Sequence, residues 1–492
     1  MLTLTTFSVL TRLLGFIYKI YMTKIMTTTE LGVYNLTLSI YMVIITIVGS
    51  AIPLTISKIT STNRAINRKD LTNYSVTSSM ILTTTLSLVL SILILISKPL
   101  ITLIIGSSIG YEIIISLLPS IFFTALYSQI RGYLWGIENY FAVSIIEFIE
   151  QILRILFCMA IIMLNIFKSP IIAVGTALSI ACGLSTLFGI YLYFKNGGKF
   201  KYKKGYYREI IKSSLPLTLV RLFGSLLQPI LAIIIPLRLV NFGLSKDNAL
   251  SELGVVMGMT MPLLSIPSTI IGALCMILIP KISSSQNIKD KSVHSQIQYY
   301  IKFTISCVFI FIPIFIALGE EICSFVFNNS LSGRYLLLSS WIMLPMGLTQ
   351  ITTSILNALN QEKKTFIYFV ISNLFLILGV FILPKYIGIQ SMLLCIGISS
   401  TIQFVLNMRK IISLTNLKTT SVKYTISHIL ISIPIILVTT FTYNIFLTFT
   451  NHFIAIGLSS FISVLSYISL LFVFNILDIK LTKQYLFKFK KV

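Results

Sequence analysis

Charged and amide side chains stand inside long apolar stretches of this sequence, and their spacing groups them. Arg12 and Lys19 are seven residues apart, so a helix presents both on one face. Arg221, Ser225 and Gln228 follow the spacing i, i+4, i+7, again one face. Glu147, Glu150, Gln151 and Arg154 form a third group, in which Glu150 precedes Arg154 by four, the favoured order for an ion pair. A charge in the bilayer interior costs about 2.5 kcal/mol or more, so such residues face a bundle interior or a wet cavity. Cations lining a cavity suit an anion with separated charges, such as a diphosphate, which arginine grips through two oxygens. Arg12, Lys19, Arg221 and Gln228 are therefore the candidate substrate-binding residues. For Arg12, near the start of its stretch, snorkelling to the interface competes with this reading. Glu150 and Arg154 read either as a structural pair or, with Glu147 as a spare carboxylate, as a proton or cation site coupled to transport.

Enzyme chemistry finds no comparable support. No GxxxxGK[ST] phosphate loop occurs, and His294, His428 and His452 stand without HExxH or a partner at ligand spacing. Six cysteines (Cys158, Cys182, Cys275, Cys307, Cys323, Cys395) are scattered through apolar runs with no CxxC. Neither a disulfide framework nor a metal cluster is indicated. No catalytic residue, metal site or cofactor is expected.

The elements that must carry these residues follow from composition. The chain has 492 residues, 56% of them hydrophobic and 11% charged, with a mean hydropathy of +0.94. Soluble domains run near a quarter charged, so a soluble globule is excluded, and so is a disordered chain. The apolar runs are far longer than the roughly ten-residue alternating strands of a membrane barrel. An all-α integral membrane protein remains. About fourteen spans are expected, near 6–26, 31–57, 71–96, 113–136, 141–166, 171–194, 210–237, 253–280, 297–318, 335–358, 365–384, 387–408, 424–447 and 453–477. The first run carries Arg12 and Lys19 and lacks a small-x-small site, so it reads as a span rather than a cleaved leader.

The net charge of +24 would suggest nucleic acid in a soluble protein; here it reads as the positive-inside rule, with no nucleic-acid partner. With the N-terminus inside, the even-numbered links and the C-terminus hold 27 of the 38 Lys and Arg. Both termini are thus expected in the cytoplasm. Seven basic residues cluster from Lys195 to Lys212, around Gly197 and Gly198, which reads as a linker able to touch anionic headgroups.

The halves repeat. Arg12-Leu13-Leu14-Gly15 returns as Arg221-Leu222-Phe223-Gly224, and Glu30-Leu31-Gly32-Val33 as Glu252-Leu253-Gly254-Val255. Ser57-Lys58-Ile59 returns as Pro280-Lys281-Ile282, and Asn67-Arg68-Lys69-Asp70 as Asn287-Ile288-Lys289-Asp290. The repeat spans six helices, an even number, so both copies face the same way. The expected organisation is a six-helix lobe over 1–197, a basic linker over 198–208, a second six-helix lobe over 209–416, and two accessory helices with a basic tail over 417–492. Such repeats place a substrate path between halves that rock against each other. Prolines within the spans, among them Pro119, Pro262, Pro267 and Pro313, permit bends.

These segments carry a resemblance. Arg12 to Phe16, Glu30 to Tyr34 and Ile56-Ser57-Lys58 resemble the opening of the stage V sporulation protein B family. Arg131 to Asn139 and Glu150 to Ile155 resemble that family's RGYFQG and EQVVRI segments, and Arg221 to Pro229, Glu252 to Gly254 and Ile279 to Ser283 follow in order. Gln228-Pro229 stands where relatives carry Glu-Pro, so a carboxylate role is lost there. The family lies in the multidrug/oligosaccharidyl-lipid/polysaccharide exporter superfamily. The resemblance implies two lobes in a V shape and a multi-pass protein of the bacterial cell membrane. It implies export of an undecaprenyl-diphosphate-linked saccharide, a lipid II-type peptidoglycan precursor for spore cortex, by alternating access. Its partners would be the lipid-linked saccharide, membrane lipids and cell-wall synthases. Alternatives are another lipid-linked oligosaccharide translocase, a cation-coupled drug exporter of the same superfamily, a membrane-embedded transferase, and a scaffold for synthases.

Overall fold

In hydrocarbon every backbone amide must be satisfied within its own segment, which is why these apolar runs become helices. The computed structural model describes residues 2–474 apart from 50, 67, 168, 204, 284–290 and 416–420. The repeat copy at Asn287 to Asp290 and the basic tail therefore lie outside the described residues, as do Lys168 and Lys204. No strand occurs among the described residues.

The chain forms two compact units, Met1–Gly254 and Val255–Val492. The first contains α1 (Leu2–Ile25), α2 (Thr28–Gly49), α3 (Ile52–Ala65), α4 (Lys69–Ile96), α5 (Lys98–Ile105), α6 (Ser108–Gly136), α7 (Tyr140–Met163), α8 (Pro170–Lys195), α9 (Tyr206–Asn241) and most of α10 (Lys246–Val255). Local chemistry sets their starts. Thr27 and Glu30 form a capping box at α2, with Thr27 N donating to Glu30 Oε2 at 2.9 Å and Glu30 N donating to Thr27 Oγ1 at 3.2 Å. Asn139 caps α7 by accepting from Ala142 N at 3.1 Å. The Glu of the first repeated Glu-Leu-Gly-Val motif is thus a capping residue.

Small residues set how the helices pack. Gly132 and Gly136 bring α6 against α3: a Cβ would lie 2.6 Å from Pro53 O at the first and 2.7 Å from Ser57 O at the second. A separate contact joins the two repeated Glu-Leu-Gly-Val motifs themselves. A Cβ on Gly32 would sit 1.9 Å from Leu250 O, and one on Gly254 2.0 Å from Thr28 O. Ser251 donates to Thr28 across this crossing at 2.7 Å. Beyond these, α6 packs on α8, α1 on α7, and α9 on α2, α3 and α4.

The second unit opens with the π-helical turn Val256–Thr260, then α11 (Met261–Leu264) and α12 (Ile266–Ser283). The run Lys246–Leu264 meets Ile266–Cys275 at 48°, a broken span with Pro262 and Pro267 flanking the break. It continues with α13 (Lys291–Phe327), α14 (Ser330–Ser339), α15 (Met343–Ala358), α16 (Glu362–Ile382), α17 (Pro384–Ile387), α18 (Gln390–Thr415), α19 (Ser421–Phe449) and α20 (His452–Val473). The last two pack on each other and on α13. Buried His428 pins α19 there: its Nε2 lies 3.0 Å from Ser306 Oγ, which also lies 2.8 Å from Tyr424 Oη.

The chain is a multi-pass membrane protein of helices. Among the described residues eleven helices are long and apolar enough to cross a membrane, or twelve with the bent pair as one span. α1 and α7 are outside that number, and both carry the charges singled out in the sequence.

Candidate functional site

The first unit holds every residue singled out for substrate or coupling. α7 and α8 enclose the most buried charges. Arg154 Nη2 donates to Glu150 Oε1 at 2.8 Å. The α8 side chains Ser185 and Cys182 reach the same carboxylate, at 3.3 Å to Oε2 and 3.7 Å to Oε1. Glu150 thus has donors from two helices, which a carboxylate taken out of water requires. α1 closes over this cluster. Gly15 faces the buried Gln151 amide, and Tyr18 with Tyr34 of α2 lies within electrostatic reach of Arg154.

One turn toward the start of α7, Glu147 meets a residue that spacing did not reveal. Arg131 Nη1 on α6 lies 3.6 Å from Glu147 Oε1. Its guanidinium also lies 5.0 Å from the Trp135 ring and 6.0 Å from the Tyr127 ring, residues four positions to either side. Arg131 lies near the end of the expected 113–136 span. The contacts of Gly132 and Gly136 hold this end of α6 against α3. Arg131 also acts electrostatically on Arg221 of α9.

The candidate substrate residues lie on two helices of the first unit, α1 and α9. Arg221 is exposed and near Arg131, on a helix that packs on α2, α3 and α4; Gln228 on the same helix is exposed too. Arg12 is exposed and Lys19 half-buried on α1, the helix that packs on α7. The charges singled out on α1, α6, α7 and α9 are five cations, Arg12, Lys19, Arg131, Arg154 and Arg221, against two carboxylates, Glu147 and Glu150. Both carboxylates have an arginine partner. The excess is positive, and it suits an anion.

No group of three or more His, Cys, Asp or Glu that could hold a metal occurs among the described residues.

The chain is similar to several known proteins. Stage V sporulation protein B of Bacillus subtilis (strain 168) is 25% identical over 297 residues, 58% of this chain. The matched stretch spans 57% of that relative's length. The fold is that of the lipid II flippase MurJ in its inward closed conformation, with a TM-score of 0.75 and 17% identity over 97% of this chain and all of that one. An inward-facing multidrug resistance MATE family transporter of the MOP superfamily follows, with a TM-score of 0.65 and 13% identity over 84% of this chain and 96% of that one. The profile of the polysaccharide biosynthesis protein family matches residues 1–286, more than half of the sequence, and the chain belongs to that family.

Proposed function

We propose that the chain is a flippase that exports an undecaprenyl-diphosphate-linked saccharide of the lipid II type. The observation that supports this most is the balance of the charges singled out on α1, α6, α7 and α9, five cations against two arginine-partnered carboxylates. A drug exporter for cations wants acidic groups available to its substrate. A diphosphate wants the reverse, and Arg12, Lys19 and Arg221, with Gln228 as a hydrogen-bonding neighbour, are the groups proposed to hold it. The headgroup enters from the cytoplasmic side, the lobes 1–197 and 209–416 alternate its access, and the lipid tail stays in the bilayer. Outward movement of negative charge is downhill by about 2.3 kcal/mol per charge per 100 mV of membrane potential, so no nucleotide motor is required. Similarity to a sporulation protein supports spore cortex as the destination, with cell-wall synthases as neighbours in that work. Glu150 and Arg154 are the structural pair of this machine.

The test is expression in cells depleted of their own lipid II flippases, with outer-face lipid II as readout. Restoration by the wild type, lost in Arg12→Ala and Arg221→Ala at unchanged abundance, is expected. Wild-type transport in both variants would sink the diphosphate site. Absence of restoration, with the protein present in the membrane, would move the substrate to another lipid-linked saccharide. Resistance to cationic drugs in place of lipid export would establish the exporter alternative.

A further inference from the structure

A cavity of about 450 Å³ opens in the first unit between the end of α3, the start of α4, the α6–α7 turn and the end of α8. It is separate from the residues assigned above, and it adjoins the basic linker through Asn196 and Gly197. Its size is that of a small-molecule site.

Four features of its wall point to one chemistry. Thr60 lines it, is 2% exposed, and its hydroxyl has no hydrogen-bond partner. Many buried hydroxyls elsewhere turn back onto their own helix, as Ser79 does to Val76 O and Thr352 to Leu348 O, with Thr37, Ser78 and Ser463 among the exceptions. Thr60 does not, and a buried hydroxyl without a partner costs roughly 1–3 kcal/mol. Asn73 accepts from Tyr193 Oη at 3.3 Å and Lys199 N at 3.1 Å, which fixes its oxygen and leaves its NH2 for the cavity. Arg64 is held across the opening by donating to Ile137 O at 2.8 Å, and Lys69 has no carboxylate partner among the described residues. Lys69 also begins the 28-residue α4, whose N-cap residue Arg68 makes no side-chain capping bond, so the first-turn amides add a partial positive charge.

Against these donors the wall carries one carboxylate. Glu138 occupies the left-handed region at φ 64°, where glycine is the relaxed choice for the residue that ends a helix. Strain of this kind, on the order of 1 kcal/mol, is retained at sites that use the side chain. A second group on the same ligand, a hydroxyl or an ammonium, gives that carboxylate a partner.

We propose that this cavity binds a phosphate ester whose remaining part carries hydroxyl or ammonium donors. The phosphate lies among Arg64, Lys69, the Thr60 hydroxyl and the Asn73 amide, and the donors face Glu138. A phospholipid headgroup and a soluble sugar or glycerol phosphate share this chemistry.

The purified full chain in detergent micelles is titrated with glycerol 3-phosphate and, separately, with dioctanoyl phosphatidylglycerol, following the unfolding temperature. A saturable upward shift with one of them is expected, with affinity weakened about tenfold or more in both Thr60→Val and Lys69→Gln. Both variants keep the local shape, since the first is isosteric and the second sits at a helix start. A response to glycerol 3-phosphate assigns a soluble ester, and a response to the lipid alone assigns a headgroup. Glu138→Gly is expected to remove the preference for glycerol 3-phosphate over inorganic phosphate. Absence of any saturable shift, or equal shifts in the wild type and in both Thr60→Val and Lys69→Gln, overturns the proposal without touching the flippase reading.

Discussion

Removing Arg154 would leave Glu150 with only a hydroxyl and a thiol as donors, both from α8. An uncompensated carboxylate at that depth is costly, and breaking a buried pair on one side typically destabilises by about 3–5 kcal/mol. Arg154→Ala should therefore lower the unfolding temperature of the purified protein sharply. Glu150→Gln combined with Arg154→Gln should recover most of the loss, because two neutral amides leave no charge behind. A double variant as unstable as Arg154→Ala, or one that is stable yet inactive in transport, would count against the structural role. The pair was legible in the sequence because both residues belong to one helix at i, i+4. Arg131 and Glu147 were not, since the partners sit on different helices and their meeting depends on how α6 packs. Arg131→Gln is accordingly expected to cut transport while altering stability by no more than about 1 kcal/mol, as befits a partly exposed pair. A transport assay paired with melting curves separates the two effects.

At the scale of elements, apolar run length was enough to place the helices, because hydrocarbon leaves the backbone no alternative. Breaks within them were less legible. Pro262 and Pro267 signalled that a bend was permitted, but not the π-helical turn at Val256–Thr260, where Pro262 just beyond it has no N–H to donate to Gly258 O. The repeat motifs carried more information than their role as markers suggested. Glu30 is there to cap α2, and Gly32 is there because Gly254 and Leu250 come within contact of its backbone. Gly254→Ala places a methyl 2.0 Å from Thr28 O, so the α2 and α10 crossing must open. Overpacking of this sort costs typically 1–3 kcal/mol. Because the change wedges apart one helix crossing rather than hollowing a core, a cysteine pair across it at Thr28 and Ser251 should crosslink in the wild-type background and fail to do so with Gly254→Ala. Equal crosslinking in both would show that the crossing accommodates the methyl group.

For the whole molecule, the open question is how many helices cross the membrane and in which direction. Among the described residues hydropathy and length alone admit eleven or twelve, whereas the alternation of Lys and Arg between links favours fourteen with the N-terminus inside. The difference rests on α1 and α7, whose charges depress the very signal used to recognise a span. Pairing explains why α7 can cross nonetheless: Glu150 and Arg154 neutralise each other, so the helix need not expose an uncompensated charge to lipid. Cysteine labelling decides the matter cleanly, because all six native cysteines are buried and silent toward a membrane-impermeant maleimide. If α6, α7 and α8 all cross, Ser107→Cys and Lys203→Cys lie on opposite faces, and Ile166→Cys shares the face of Ser107. With the basic linker inside, Ser107→Cys and Ile166→Cys should label in intact cells, and Lys203→Cys only after permeabilisation. Were α7 to lie along the surface, Ser107 and Lys203 would share a face, and the ion pair would have to be reassigned from the bundle interior to the interface. Labelling of Lys203→Cys from outside with Ser107→Cys protected would keep the span count and invert the orientation, and the membrane potential would then oppose export of an anion instead of driving it.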